Sequence, residues 1–293
     1  MGAWRCMHES DASAQIESHY WSMDMKSISK NMSMKIMQPL LAASLFAFAF
    51  AFAFVGSAAQ ARTFDEIKAS GKVIVATEGA YPPFNYFQGA KLTGFEVELA
   101  EAMVKKMGLA IEWKTLSFDA LLSGLRQDRW DMVMASFGVT EQRSKAVHFS
   151  HPYYCSGGVI VSKDAAIGTV ASLKGKTVAV QTGSTYMENV RKLEGVKDVK
   201  NFPRDTDARS ALLNGRVDAW VSDRFVVKTA LETSPSAGLK AGDYVFIEKI
   251  AVALKKGNPT FAAAVDKALA EVLADGSYKA ISEKYMHEDI RCP

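Results

Sequence analysis

The chain has 293 residues, 48% hydrophobic and 23% charged, with a formal net charge of +3. These values describe an ordinary globular protein with chain enough for two domains. A charge so close to balance gives no ground for nucleic-acid binding.

The first sixty residues depart from that description. Lys26, Lys30 and Lys35 precede an uncharged apolar run over residues 40–55 (LLAASLFAFAFAFAFV), and small residues follow, ending Ala59-Gln60-Ala61. A basic segment, an apolar segment and an A-x-A site predict a signal peptide over residues 1–61, cleaved after Ala61. The alternative is an uncleaved anchor, since about 20 uncharged residues span a bilayer. Residues ahead of Met32 or Met34 add nothing such a signal requires, so either methionine serves as a start. Cleavage removes as many basic as acidic residues and leaves the charge at +3. Cys155 and Cys292 remain, and no cysteine stands at the cleavage point, which argues against a lipid anchor. Two cysteines make no framework, and their pairing is not readable from spacing.

From residue 73 onward, short β-rich runs alternate with helix-period segments, the pattern of an α/β protein with largely parallel sheets. Residues 73–77 (VIVAT) read as a strand. Over residues 95–107, Phe95, Leu99, Met103 and Met107 form one apolar helix face. Strands at 111–116 and 132–135 flank a helix at 118–126, and Thr140 caps a short helical turn. A second half repeats the character. It has strands at 159–161 and 177–180, a helix capped by Ser184, a helix at 207–213, a strand at 219–221 and a helix at 224–232. Residues 234–242 have linker composition. Strands at 244–247 and 251–254 and helices at 259–274 and 278–285 close the chain. Two α/β halves without a flexible linker between them imply two lobes facing across a cleft.

In open α/β sheets, ligands bind beyond the carboxyl ends of strands. Four such junctions carry chemistry: Glu78-Gly-Ala-Tyr-Pro-Pro-Phe84, Ser136-Phe-Gly-Val-Thr-Glu-Gln-Arg143, Gln181-Thr-Gly-Ser-Thr185 and Ser222-Asp223-Arg224. Arg143 is the odd residue, a cation in the first turn of a helix, where the dipole already presents positive charge. An external anion docking there makes it favourable, with the guanidinium as a fork. Gly183, Ser184 and Thr185 offer amides and hydroxyls from the other lobe, and Asp223 supplies the opposite charge. An anion seat and a carboxylate on one cleft match the two ends of an α-amino acid. Each group also has a plainer reading: Arg143 as a solvated residue, Asp223 and Ser184 as helix caps, Glu78 as a turn carboxylate, Tyr81 and Phe84 as core.

Five ordered motifs span the chain after residue 61: YPPF (81–84), LTGFEVEL (92–99), VTEQR with FSHPYY (139–143 and 149–154), LKGKTV with TGST (173–178 and 182–185), and LNGRVDA (213–219). Together they resemble the amino-acid-binding, periplasmic solute-binding proteins of ABC importers. The resemblance implies an α/β, two-lobe, periplasmic-binding-protein-like fold of type II with two hinge strands. Lobe 1 would be residues 62–155 plus 251–293 and lobe 2 residues 156–250. It implies a monomer in the periplasm that carries an amino acid to a membrane permease and its ATPase, without cofactor, metal or catalysis. By the same resemblance Arg143 grips the ligand α-carboxylate, helped by Ser136, Ser184 and Thr185. Asp223 holds the α-ammonium, Tyr81 and Phe137 flank the side chain, and Glu78 meets its tip. Gly138 and Ala135 depart from the pattern, lacking hydroxyls that many relatives carry. A carboxylate at Glu78 resembles members that take arginine, lysine or opines, so a basic ligand is expected.

The rival of a different class is a cyclohexadienyl dehydratase on the same scaffold, with Glu78 as its acid. His148 and His151 fall on a strand and a loop, where no helical face aligns them for a metal.

Overall fold

Local capping starts the fold where the apolar pattern begins. A computed structural model describes residues 62–293, which fall within one compact unit, Ser57–Pro293. The expected signal peptide and start methionines lie outside the described residues. Thr63 opens α1 (Phe64–Ser70) with a capping box closed by Glu66, and Gly71 ends it at φ 69°.

Strand β1 (Lys72–Thr77) follows, then a small antiparallel sheet of β2 (Ala80–Tyr81), β3 (Asn85–Gln88) and β4 (Lys91–Thr93). Helix α2 (Phe95–Lys106) packs its apolar face inward, and β5 (Ala110–Thr115), α3 (Phe118–Arg126) and β6 (Met132–Val133) complete a parallel trio around β1. After α4 (Glu141–Ala146) comes the 15-residue β7 (His148–Ser162). The second half then adds β8 (Thr177–Gln181), α5 (Thr185–Val190), β9 (Asp198–Phe202), α6 (Asp205–Leu213), β10 (Ala219–Asp223) and α7 (Arg224–Thr233). A second 15-residue strand, β11 (Lys240–Leu254), leads to α8 (Pro259–Ala274) and α9 (Ser277–Met286).

The main sheet runs β5-β1-β6-β11-β7-β10-β8-β9. Its two ends are parallel trios, and its middle is the antiparallel pair β7/β11, in register from His148↔Leu254 to Lys240↔Ser162 with several bulges. A strand of that length spans roughly 50 Å, so both strands run from one lobe into the other, and the two-lobe α/β expectation holds. Separate apolar clusters around Phe118 and Trp130 in the first half, and around Leu173 and Val180 in the second, give each trio its own packing.

Several elements differ from the sequence expectation. Residues 234–242 are not a linker, because β11 already begins at Lys240 and absorbs both strands expected at 244–247 and 251–254. β7 likewise extends the expected 159–161 back to His148. The small sheet and β9 were not expected, and neither was α1. Among the described residues no helix is long and apolar enough to cross a membrane.

Cys155, at the middle of β7, is bonded to Cys292 across 137 residues of chain, so the C-terminal tail is pinned to the hinge strand. A Cys292→Ser variant is expected to lose about 2–4 kcal/mol, a fall in Tm of roughly 5–15 °C. Melting with and without reductant checks it: the variant should be insensitive to reductant, and the parent should descend to it.

Candidate functional site

The loop after β6 is built from a strained turn and a capped helix. Ser136 sits at φ 53°, a left-handed conformation uncommon for a residue with a side chain. Its amide and hydroxyl both donate to one Glu96 oxygen, at 2.6 and 3.0 Å. Glu96 is fully buried and also accepts from Asn85 at 2.6 Å and from Tyr153. The Ser136 hydroxyl is therefore committed to Glu96. Beyond it, the Val139 amide donates to Lys249 O and the Ala251 amide to Phe137 O, which fasten the loop to β11.

Thr140 accepts from the Arg143 amide at 3.1 Å and so caps α4, as the sequence suggested. That helix has only six residues, so Arg143 stands in its last turn as well as its first. The dipole conflict is therefore slight, and what marks Arg143 is its burial. It is 8% exposed, the one cation among the buried described residues. Its Nη1 donates to Gly138 O and its Nη2 to Gly183 O, both at 2.9 Å, the second bond reaching from lobe 1 to lobe 2. The guanidinium carbon lies 5.0 Å from the centre of the Phe137 ring, which itself stacks on Phe118 at 4.2 Å. Burial pulls the Arg143 pKa down, opposed by Glu188 and Glu248.

Two further ties cross the cleft. Glu78, beyond β1, accepts from Gln181 Nε2 at the end of β8 at 2.8 Å. The Tyr81 hydroxyl lies 3.2 Å from that of Tyr186 and 3.4 Å from that of Ser222. The lobes are thus closed on one another. On the second lobe, Ser184 donates to Gln181 O at 2.7 Å and accepts from the Met187 amide at 3.1 Å, a helix cap that keeps the next residue, Thr185, buried. Asp223 is fully buried, accepts from the Phe225 amide at 2.7 Å and receives Tyr154 OH at 3.4 Å. It caps α7 and also ends the strand that faces the cleft, so its two readings are not exclusive.

Electrostatically the site is lopsided. Burial lifts the carboxyls of Glu78 and Asp223 to about 7 and that of Asp205 to about 6; hydrogen bonds from Gln181, the Phe225 amide and Trp220 only partly offset it. A fourth carboxyl, Glu248 on β11, is also lifted to about 7, chiefly by burial. Glu248, Gln181, Tyr186, Phe118 and Glu96 join the site although none is among the eight residues expected in it. Glu96 lies inside a quoted motif and Gln181 inside a quoted strand-end junction, whereas Glu248 carries no local signal. Carboxyls shifted this way resist ionisation until a cation joins them. One cavity, of about 820 Å³, is a groove beside β7 and β11. Of the eight residues expected in the site only Thr185 lines it, so this groove is not the expected cleft.

The chain matches the model for bacterial extracellular solute-binding proteins, family 3, over residues 73–288. The L-cystine-binding protein TcyJ of Escherichia coli (strain K12) is 35% identical over 242 residues, covering 80% of this chain and 90% of that protein. ABC transporter arginine-binding protein 1 of the same strain is 30% identical over 223 residues, covering 74% and 91%. Among solved structures, an ancestral arginine-binding protein bound to arginine superposes with a TM-score of 0.71 at 37% identity, covering 73% of this chain and 98% of that one. A match across most of the described residues, joined by relatives aligned over nearly their full length, means that the chain belongs to the bacterial extracellular solute-binding proteins, family 3.

Proposed function

We propose that this protein binds a cationic amino acid of the arginine or lysine type between its lobes and delivers it to the permease of an ABC importer. One observation carries the reading: the one buried guanidinium among the described residues is tied across the lobes to Gly183, and buried carboxyls with raised pKa values lie at the same interface, Glu78 tied across to Gln181 and Glu248 beside Arg143. An amino acid with a charged side chain supplies one anion and two cations. In this reading its carboxylate meets Arg143, its α-ammonium Asp223, and its side-chain cation Glu78. Tyr81, Phe137 and Thr185 line the cleft, while Ser136 and Ser184 hold their loops. The far end of cystine carries a carboxylate beside its ammonium, whereas arginine or lysine presents a cation alone, the simpler match for a lone carboxyl at Glu78. The relatives named above, binders of cystine and arginine, support the amino-acid class.

The same reading makes residues 1–61 a cleaved signal peptide and the periplasm the site of action. It divides the rest into lobe 1 (62–155 and 251–293) and lobe 2 (156–250), working as a monomer without catalysis. Ligand that bridges Arg143 and Asp223 shifts the population of open and closed forms towards the closed one. The closed form is what the permease receives.

A thermal-shift panel of the twenty amino acids with ornithine and cystine tests the function. A ligand at a hundred times its Kd adds about 2.7 kcal/mol, and L-arginine or L-lysine should give the largest shift. No shift with any member rejects the function. Arg143→Ala should weaken binding by roughly 30- to several-thousand-fold, since removing one partner of a buried charge pair costs about 2–5 kcal/mol. Arg143→Lys should lie between, because a point charge does not replace the fork. Titration calorimetry of both variants checks this; unchanged affinity takes Arg143 out of the site. Glu78→Gln should weaken L-arginine about tenfold or more, the worth of a charge-assisted hydrogen bond, and leave L-glutamine nearly unaffected. Equal losses for the two would discard the basic preference.

A further inference from the structure

Pairing Arg143, Asp223 and Glu78 with the three charges of a basic amino acid leaves Glu248 with no counterpart. Glu248 lies on β11 opposite Ser156 of β7, near the middle of the hinge pair. Both of its carboxyl oxygens are buried and neither makes a hydrogen bond, although the hydroxyls of Thr185 and Tyr186 stand beside them. A side chain on Gly138 would begin inside this carboxyl: its Cβ would lie 1.9 Å from Glu248 Oε2 and 2.9 Å from Cδ, with Thr185 Cγ2 at 3.1 Å. Glu248 therefore fills the volume that residue 138 leaves open, between lobe 1 and the first residue of α5. The carbonyl of that same Gly138 accepts from Arg143 Nη1.

We propose that Glu248 is a ligand-contacting residue that works as a neutral acid. Its protonated carboxyl donates a hydrogen bond to the carboxylate held by Arg143, in place of a hydroxyl at residue 138, and binding takes up that proton from solvent. The proposal rests on the amino-acid reading above. A ligand carboxylate beside Glu248 opposes its ionisation, against the pull of Arg143, and a protonated carboxyl is a donor. No bond other than O–H forms or breaks. The charged and titratable groups facing Glu248 are Arg143 of α4, Tyr186 of α5 and Asp223 of β10. On β7 its neighbours are Ser156 and the disulfide-bonded Cys155, and Arg224 of α7 and Lys249 share with it the groove beside the hinge. Burial and Asp223 lift its pKa to about 7, so it is mixed in protonation near neutrality. A ligand carboxylate raises it further. The complex then holds more protons than the free protein, and affinity falls as pH rises above about 7. Glu78 and Asp223 shift the opposite way, because ligand cations favour their ionised forms and release protons. The signature of Glu248 is therefore the difference between variants.

The experiment is calorimetric titration of the purified protein with L-arginine, or with the panel member of largest thermal shift, at pH 7.0 and 8.5 in two buffers of different ionisation enthalpy. At pH 8.5 the parent should take up about one proton more than Glu248→Gln, whose amide donates without titrating. Between the two pH values the affinity of the parent should fall roughly tenfold relative to that variant. Glu248→Ala should bind more weakly, and Gly138→Ser combined with Glu248→Ala should recover affinity without the proton. Equal proton uptake in parent and Glu248→Gln overturns the proposal, as does abolished binding in Glu248→Gln while the double variant still folds and fails to bind. Absence of heat with every amino acid rejects the function itself, a separate outcome.

Discussion

One buried cation at an interface that also buries several carboxyls is the constraint on which the site depends. Arg143 has its guanidinium out of water, two of its N–H groups on the Gly138 and Gly183 carbonyls, and aromatic rings beneath it. Removing a charge from water costs several kcal/mol unless partners replace the hydration. Carbonyl dipoles and ring faces replace part of it, and they leave the remaining N–H donors for an anion. The carboxyls of Glu78, Asp223 and Glu248 meet the opposite deficiency, and all three respond with a raised pKa. In the proposed function a ligand bearing both signs would relieve both deficits together, and only when both walls are in contact with it, so that closure and recognition would be the same event.

The architecture places these charges on the two sides of a hinge. Because β7 and β11 each run the length of the sheet and pair throughout, the groups at their middle, Ser156 and Glu248, are common to both lobes. The disulfide between Cys155 and Cys292 anchors the tail at the same level. Residues at the ends of β1 and β6 approach from one side, and those at the ends of β8 and β10 from the other, as strand-end geometry in α/β sheets dictates.

What the sequence made legible was local. Thr140 and Ser184 are caps because a hydroxyl meets an amide three residues on, a relation carried by spacing alone. The α1 capping box, Thr63-Phe-Asp-Glu66, carried the same signal and was overlooked. Cleft residues at strand ends followed from a topological rule. Glu248 carries no such signal because its burial is not local: residues 240–249 are largely polar or half-exposed, Ile247 is 81% exposed, and the carboxyl is enclosed by a side-chain-free Gly138 and by Thr185 and Tyr186, all distant in sequence. The continuity of β11 escaped for a related reason, since its polar N-terminal part takes its pairing from a partner some ninety residues upstream. Ser136 was read for its hydroxyl, but its positive φ turns that group to Glu96, a conformation no spacing rule announces.

The division of labour between the lobes has an energetic meaning. On lobe 1, Glu96 ties Ser136, Asn85 and Tyr153 into one buried network, which holds the loop that carries Phe137, Gly138 and Arg143 by bonds that need no ligand. On lobe 2, Ser184 and Asp223 are held chiefly by their own helix caps, Asp223 also receiving the Tyr154 hydroxyl from lobe 1. Each wall is thus organised mainly by bonds within itself, and the hydrogen bonds between walls include Arg143 to Gly183, Glu78 to Gln181, Tyr81 to Tyr186 and Ser222, Tyr154 to Asp223, and Val139 to Lys249 at the hinge. Ordering side chains at the moment of binding costs about 0.5–1.5 kcal/mol for each one immobilised. A cleft whose walls are already ordered avoids most of that cost, and the free energy of charge pairing goes instead into bringing the walls together.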